Sequence, residues 1–203
     1  MKSDILLRLK ELQEINVSLE IGNSIDKSVS EIANVKRGNN KLTKSFGRMN
    51  AGDNPVFSAD NSKPLCYTNS YDYDGKYLTV SINGIAGVTK VIDGRFSLNA
   101  DRAIFIIKEE YNTLEIDFLK LIIEPFLRNI AKGRKGENNK NEFTKLTLKM
   151  IKDIIIPIPI VDGKIDMQRQ KEIVQTQKYI QNLKNEIFNK AQRILSYDLV
   201  GLE

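Results

Sequence analysis

Residues Asp153 to Gln170, DIIIPIPIVDGKIDMQRQ, divide the chain into two kinds of sequence. Five isoleucines and two prolines fill Ile154 to Ile160. Pro157 and Pro159 lack a backbone donor and hold their predecessors extended, so this run predicts a strand at a sheet edge and excludes a helix. Asp162-Gly163 then supplies a turn, and Asp166 can cap a helix that continues to Leu195 with no Gly or Pro in it. A compact body therefore hands over to a long arm.

The 203 residues suffice for one good-sized core plus an appendage, and 41% hydrophobic with 28% charged residues is an ordinary globular composition. The opening KSDILLRLKELQEIN is charged every few residues, which suits neither a signal peptide nor a membrane span, so a cytoplasmic, membrane-free protein is expected. A single cysteine, Cys66, excludes an internal disulfide, and the absence of histidine removes the usual zinc sites and His-based triads. No phosphate-cradling G-x-x-x-x-G-K-S/T occurs, and no catalytic residue, metal or cofactor is assigned.

The net charge of +5 is unevenly placed. Residues 1–23 hold 3 Lys/Arg and 4 Asp/Glu, residues 166–203 hold 6 and 5, and residues 24–165 hold 22 and 17, so the whole excess sits in the body. Any polyanion is then expected on the body. Two stretches concentrate the charge. The first, KRGNNKLTKSFGR, is read as a basic polar loop with a glycine hinge: Lys36, Arg37, Lys41, Lys44 and Arg48 can meet phosphates, while Asn39 and Asn40 can bond base edges. The second, between Ala131 and Met150, is read as a further loop carrying Lys132, Arg134, Lys135, Lys140, Lys145 and Lys149 against Glu137 and Glu142. Two such loops could form one face, although solvated charge runs alone would look the same.

The chain's two ends carry seven-residue repeats. Ile5, Leu12 and Leu19 are spaced by seven with Leu9 and Asn16 between them, the pattern of a helical seam over residues 1–22 in which a buried Asn sets register. A helix packed on its own domain with Asn16 in water is the alternative. Gly22-Asn23-Ser24 closes it. In the arm, Ile173, Ile180, Ile187 and Ile194 recur every seven residues. The intervening positions are mixed, either Gln177, Lys184 and Ala191 or Thr176, Leu183 and Lys190, which favours a partner helix on one narrow stripe over a free zipper; a helix lying over its own body remains open.

Between these ends, Asn54 to Tyr77 reads as turns with four tyrosines. Strands are expected at Tyr77 to Ile82, Gly87 to Ile92 and Ala103 to Ile107, with Asn83-Gly84 turning a hairpin and Asp93-Gly94 turning again. Glu115 to Lys132 is a helix with Phe118, Leu119, Ile122, Phe126 and Ile130 on its apolar face, kinked or broken at Pro125. The body is α+β. Asn54-Pro55-Val56-Phe57 approaches the amine-gripping Asn-Pro-Pro-Phe/Tyr of amino-methyltransferases but lacks the second proline and any Gly-rich donor loop.

Taken in order, Val29-Ser30-Glu31-Ile32, Asn54-Pro55-Val56-Phe57-Ser58-Ala59, Tyr71 to Ser81, Asn83-Gly84, Ala86-Gly87-Val88, Asp101-Arg102-Ala103, and Ile156-Pro157-Ile158-Pro159 with Gln170 heading a long helix resemble the specificity subunit of type I restriction-modification enzymes, from about Val29 to Ile194. The resemblance implies one target recognition domain with a mixed or antiparallel sheet and short helices at residues 23–163. An N-terminal helix at 1–22 and a long coiled-coil spacer and dimerisation arm at 164–203 would flank it. It further implies a non-catalytic subunit of a restriction and adenine-methyltransferase complex that reads half of an interrupted duplex DNA target and docks modification subunits, and through them a restriction subunit. The family usually carries two recognition domains and two such helices per chain, and this chain has room for one of each. A homodimer is therefore expected, with the first helix of one copy antiparallel on the arm of the other. The specificity part of a fused restriction-methylation enzyme, and a protein-binding helical adaptor or antirestriction decoy, are the alternatives.

Overall fold

The computed structural model describes the backbone of residues 21–134 and 142–200 and the side chains of these residues up to 193. It is α+β, with several small sheets and a long C-terminal helix. Two compact units divide the chain: Ile25–Ile158, and a second whose described residues are 21–24 and 159–200. Among the described residues, no helix is long and apolar enough to cross a membrane.

The first unit opens with strand β1 (Ser24–Ser28), helix α1 (Val29–Ile32) and strand β2 (Ala33–Arg37). Ser28 and Glu31 form a reciprocal capping box, which makes so short a helix viable. Thr43 caps helix α2 (Lys44–Met49) in the same manner by accepting from the Phe46 amide. Strands β3 (Asn54–Phe57), β4 (Cys66–Thr68), β5 (Tyr73–Asp74), β6 (Tyr77–Ser81), β7 (Asn83–Gly84), β8 (Thr89–Ile92), β9 (Arg95–Leu98) and β10 (Arg102–Ile107) follow. Helix α3 (Ile116–Ile130), strands β11 (Lys132–Arg134) and β12 (Phe143–Lys145), and helix α4 (Leu148–Lys152) complete the series.

One antiparallel sheet has the order β2-β10-β6-β8, and a mixed sheet has the order β4-β3-β9-β5 with β3 and β9 parallel. Phe57, Ile92, Phe96, Leu98 and Ile104 form a core cluster against which Tyr73, Tyr77 and Ile106 pack. The Phe96 ring lies 5.4 Å from Tyr73, 6.0 Å from Tyr77 and 6.3 Å from Phe57, centroid to centroid. Burying Phe96 alone contributes about 1.5–3 kcal/mol. Two of the four tyrosines in the stretch read as turns are thus core residues, and that stretch holds three strands. Their shortness hid the alternation that marks a strand.

Three other local expectations change. Asn83-Gly84 is no hairpin turn: it is β7, paired to β12, while β6 and β8 are joined by a wider loop closed by Gly87 N to Ser81 O at 2.8 Å. Helix α3 is unbroken at Pro125, and its buried side chains are Phe118, Leu119, Ile123 and Leu127, whereas Phe126 is exposed. Two neighbouring i, i+4 rows were available, and the row that meets β6 and β8 won. A Cβ on Gly87 would stand 2.7 Å from the Leu127 backbone, so the loop presses directly on α3. The second basic stretch is also no simple loop, since β11, β12 and α4 occupy its described parts.

Strand β13 (Ile155–Val161) lies between β1 and the short β14 (Lys164–Ile165), so it is central, not an edge strand. The prolines fit because alternate donors point to opposite sides. Ile160 N bonds Asn23 O, whereas on the other side Pro159 offers only its carbonyl, taken by Asp166 N at 2.8 Å. The boundary between the two units falls within this strand.

In the second unit, Asp162 at φ 50 and Gly163 at φ 72 form the two-residue turn of the β13-β14 hairpin. Asp166 accepts from Arg169 N at 2.8 Å and starts helix α5 (Met167–Val200). Ile173, Val174, Ile180 and Leu183 are buried and Ile187 is half-buried within a single chain, so this stripe is not bare before a second chain arrives. Burial of Leu183 selects the Thr176/Leu183/Lys190 positions as companions of the isoleucines. The side chain of Ile194, and Ile5, Leu9, Leu12, Asn16 and Leu19, lie outside what is described; Gly22 takes the expected left-handed φ of 77.

Arg102 is the largest fully buried side chain. Its Nε donates to Ser58 O at 2.7 Å, Nη1 to Thr79 Oγ1 at 3.0 Å and Nη2 to Asn61 Oδ1. None of these acceptors is a carboxylate. Burial pulls the guanidinium down to about 10, with the Asp60 charge opposing, so it stays protonated at neutral pH. Arg102→Ala would orphan the Ser58 carbonyl and leave a cavity, and should lower the unfolding free energy by about 3 kcal/mol, read from urea denaturation of the full chain.

Candidate nucleic-acid interface

The first basic stretch is fixed to the body by its backbone. Arg37 ends β2 and its Nε donates to Ala100 O. Gly38 N bonds Arg102 O at 2.9 Å and Asn39 N bonds Leu98 O at 2.7 Å. A Cβ on Gly38 would lie 2.3 Å from Leu98 O, so this glycine serves close approach and is not a hinge. Asn39 bends the chain by accepting from Lys41 N at 3.0 Å, which leaves its amide nitrogen for other partners. Asn40 is exposed, and its side chain makes no hydrogen bond among the described residues.

Lys36, Arg37, Asn39, Asn40, Lys41, Lys44 and Arg48 are all exposed. Lys44 and Arg48 stand one helical turn apart on α2, a helix where a loop was expected. They border a hollow that also includes Leu65, Cys66 and Tyr67. Gly47 is buried against Cys66, which a Cβ there would meet at 2.7 Å, so a side chain does not fit without a shift. The Cys66 thiol is half-buried, and burial pushes its pKa up.

In the second stretch, the pairs Lys132↔Lys145 and Arg134↔Phe143 set all four side chains on one face of the β11-β12 ribbon. On the other face Thr144 is fully buried, accepting from Ala86 N and donating toward Glu142. Glu142 is turned inward onto a bidentate pair with Arg128 at 2.8 and 2.9 Å, and its side chain is 2% exposed. Of the two acids in this stretch, Glu142 is therefore matched by Arg128, and Glu137 lies outside the described residues. Arg134 and Lys145 are exposed, while Lys135 and Lys140 lie outside the described residues.

A polar seam links the two stretches. Asn39 bridges to Asn99, whose Nδ2 donates to Leu42 O at 2.6 Å and whose Oδ1 accepts from Asp101 N at 3.1 Å. Ser58 donates to Asn99 and Asp101, and Asn83 Nδ2 donates to Asp101 Oδ1 at 2.6 Å. Asn83 in turn pairs with Lys145. The basic stretches consequently flank the Asn99–Arg102 turn, with Arg102 buried beneath it. Sequence reasoning missed Asn83, Asn99 and Asp101 as parts of this surface and left out Phe143. The signal for Phe143 was a lone aromatic inside the charged run NKNEFTK. Among the described residues no His, Cys, Asp or Glu cluster could hold a metal ion.

A surface of exposed cations and amides on a small α+β body is suited to a polyanion that also presents base edges. Residues 24–194 match the family model described as Type I restriction modification DNA specificity domain. The chain belongs to this family. A protein of Mycoplasma pneumoniae named as a type I specificity subunit is 28% identical over 178 residues, 82% of this chain and 74% of that one. The type I restriction enzyme MpnII specificity subunit of the same organism is 35% identical over 111 residues, 53% of this chain and 33% of that one. The crystal structure of the HsdS subunit from Thermoanaerobacter tengcongensis shares the fold, with a TM-score of 0.60 at 15% identity over 96% of this chain and 53% of that chain. The chain spans about half or less of the second and third of these proteins.

Within this specificity domain, Asn99 is the residue on which the seam turns, because while buried it bonds the first basic stretch at Leu42 and the Asp101 amide, and Asp101 in turn holds Asn83 beside the second. Asn99→Ala should cost about 2 kcal/mol by orphaning Leu42 O and Asp101 N, and Asn83→Ala, at a half-exposed position, about 1 kcal/mol. Urea midpoints of the two variants check the order.

Proposed function

We propose that this chain is the non-catalytic, DNA-reading specificity subunit of a type I restriction-modification system. The family match over residues 24–194 carries the reading. The exposed cations around the Asn99–Arg102 turn support it, since phosphate contacts require positive charge and base readout requires amides such as Asn39 and Asn40. The recognition domain is residues 23–163, and the terminal segments, residues 1–22 and 164–203, dock modification (methyltransferase) subunits and through them a restriction subunit in the cytoplasm.

A second copy completes the site in this reading. A two-fold pair doubles the number of bases read and spaces the half-sites by the arms. With Ile173 and Ile180 already buried in one chain, Met167, Tyr179 and Phe188 are exposed apolar side chains on the described part of α5 that a second chain could cover.

Binding of the full chain to duplex DNA should weaken linearly in log K against log salt. Neutralising Lys41 with Lys44, or Arg134 with Lys145, should weaken binding to every duplex and flatten that slope by about one per lost phosphate contact. Fluorescence anisotropy across a salt series is the measurement. Unchanged affinity and slope in both double variants would remove these residues from the interface.

A further inference from the structure

The β11-β12 ribbon combines two features that are each unfavourable in an isolated protein. Lys132 faces Lys145 directly across the strands, and like charges at that position repel. Beside them the Phe143 ring is 52% exposed, although Phe143 belongs to a fully formed strand whose next residue, Thr144, is buried. The Lys145 ammonium stands over the ring, 5.5 Å from its centroid. Lys132, Gly133, Arg134, Phe143 and Lys145 line one shallow hollow.

The ribbon is rigidly mounted. β12 is hydrogen-bonded on its other edge to β7, Thr144 anchors its inner face, and Leu146 N bonds Ile82 O at 2.9 Å. Gly133, at φ 134, lies so close to its neighbour that a Cβ would stand 2.4 Å from Phe143 O. The neighbouring carboxylate, Glu142, is withdrawn onto Arg128. The outward face thus sets one aromatic ring, Phe143, beside Lys132 and Lys145, with Arg134 on the same face. A partner that relieves both the charge repulsion and the apolar exposure must be a polyanion with apolar surface between its charges. Duplex DNA fits this chemistry, and its major groove admits a two-stranded ribbon.

Building on the DNA-reading function proposed above, we propose that the β11-β12 ribbon enters the major groove, with Lys132 and Lys145 on phosphates and Phe143 making an apolar contact with the bases. Phe143 is then a specificity-bearing residue, whereas the lysines contribute affinity without sequence preference.

The absence of tryptophan from the chain makes a direct test available. In a Phe143→Trp variant of the full chain the indole is the sole tryptophan. It is titrated with a short fluorescein-labelled duplex of randomised sequence, and binding is followed independently by anisotropy. The expected result is a blue shift of the indole emission on binding and a severalfold fall in acrylamide quenching. Phe143→Ala should weaken binding about tenfold with an unchanged salt slope, because the lost contact is apolar. Lys132→Ala with Lys145→Ala should flatten the slope by about two. Duplex binding that leaves the indole fully accessible, or a Phe143→Ala variant that binds as tightly as the parent, overturns the Phe143 contact while leaving the DNA-reading function intact. Failure of the unsubstituted chain to bind duplex at any salt overturns both.

Discussion

A buried guanidinium whose hydrogen-bond acceptors are all neutral is the constraint on which the recognition unit depends. Arg102 joins the segment after β3, through Ser58 and Asn61, to β6, through Thr79, and so ties the mixed sheet to the antiparallel one. A charge buried against neutral acceptors keeps its cost low only while every acceptor holds position. Lys90 adds to this tension: its ammonium lies over the Phe57 ring and bonds Asn61 O, and burial, then the charge of Arg102, pull its pKa down. The 58–61 segment is thereby held from two sides. The turn immediately before Arg102 inherits that rigidity, and it is this turn that the two basic stretches flank.

Charge and geometry divide the work on the proposed face. Some acids of the body are used internally, Glu142 on Arg128 and Glu124 on the Thr89 amide and hydroxyl. Asp101 is spent on Asn83 and Ser58. Exposed cations near the turn therefore stand beside carboxylates, Glu142 and Asp101, that are engaged by other groups of the protein, which favours a positive local potential. Glycines let the backbones close up where needed, Gly38 against Leu98 and Gly133 against Phe143, each at a separation that no side chain would permit.

Long-period and punctuating signals were legible in the sequence. The Ile-Pro strand, the Asp162-Gly163 turn, the Asp166 cap and the unbroken arm were all readable, because each rests on local backbone chemistry. Strands of two to four residues were not, since Tyr73–Asp74 and Cys66–Thr68 are too short to show alternation and exist only through partners distant in sequence. The choice between two rows of α3 depended on which one meets the sheet, a tertiary fact. For the same reason composition located the cations but could not show that Asn83, Asn99 and Asp101 bring them around one turn, or that Phe143 stands out of its strand.

The central claim is that this chain chooses the DNA sequence while its partners do the chemistry. The most direct measurement is the genomic methylation motif of a host expressing the chain with its modification subunit, compared with a host expressing the modification subunit alone. The account predicts adenine methylation only when both are present, at a two-part palindromic motif with an unread gap. Methylation at the same motif without the chain would contradict it, and two unrelated half-motifs would contradict the pairing of identical copies.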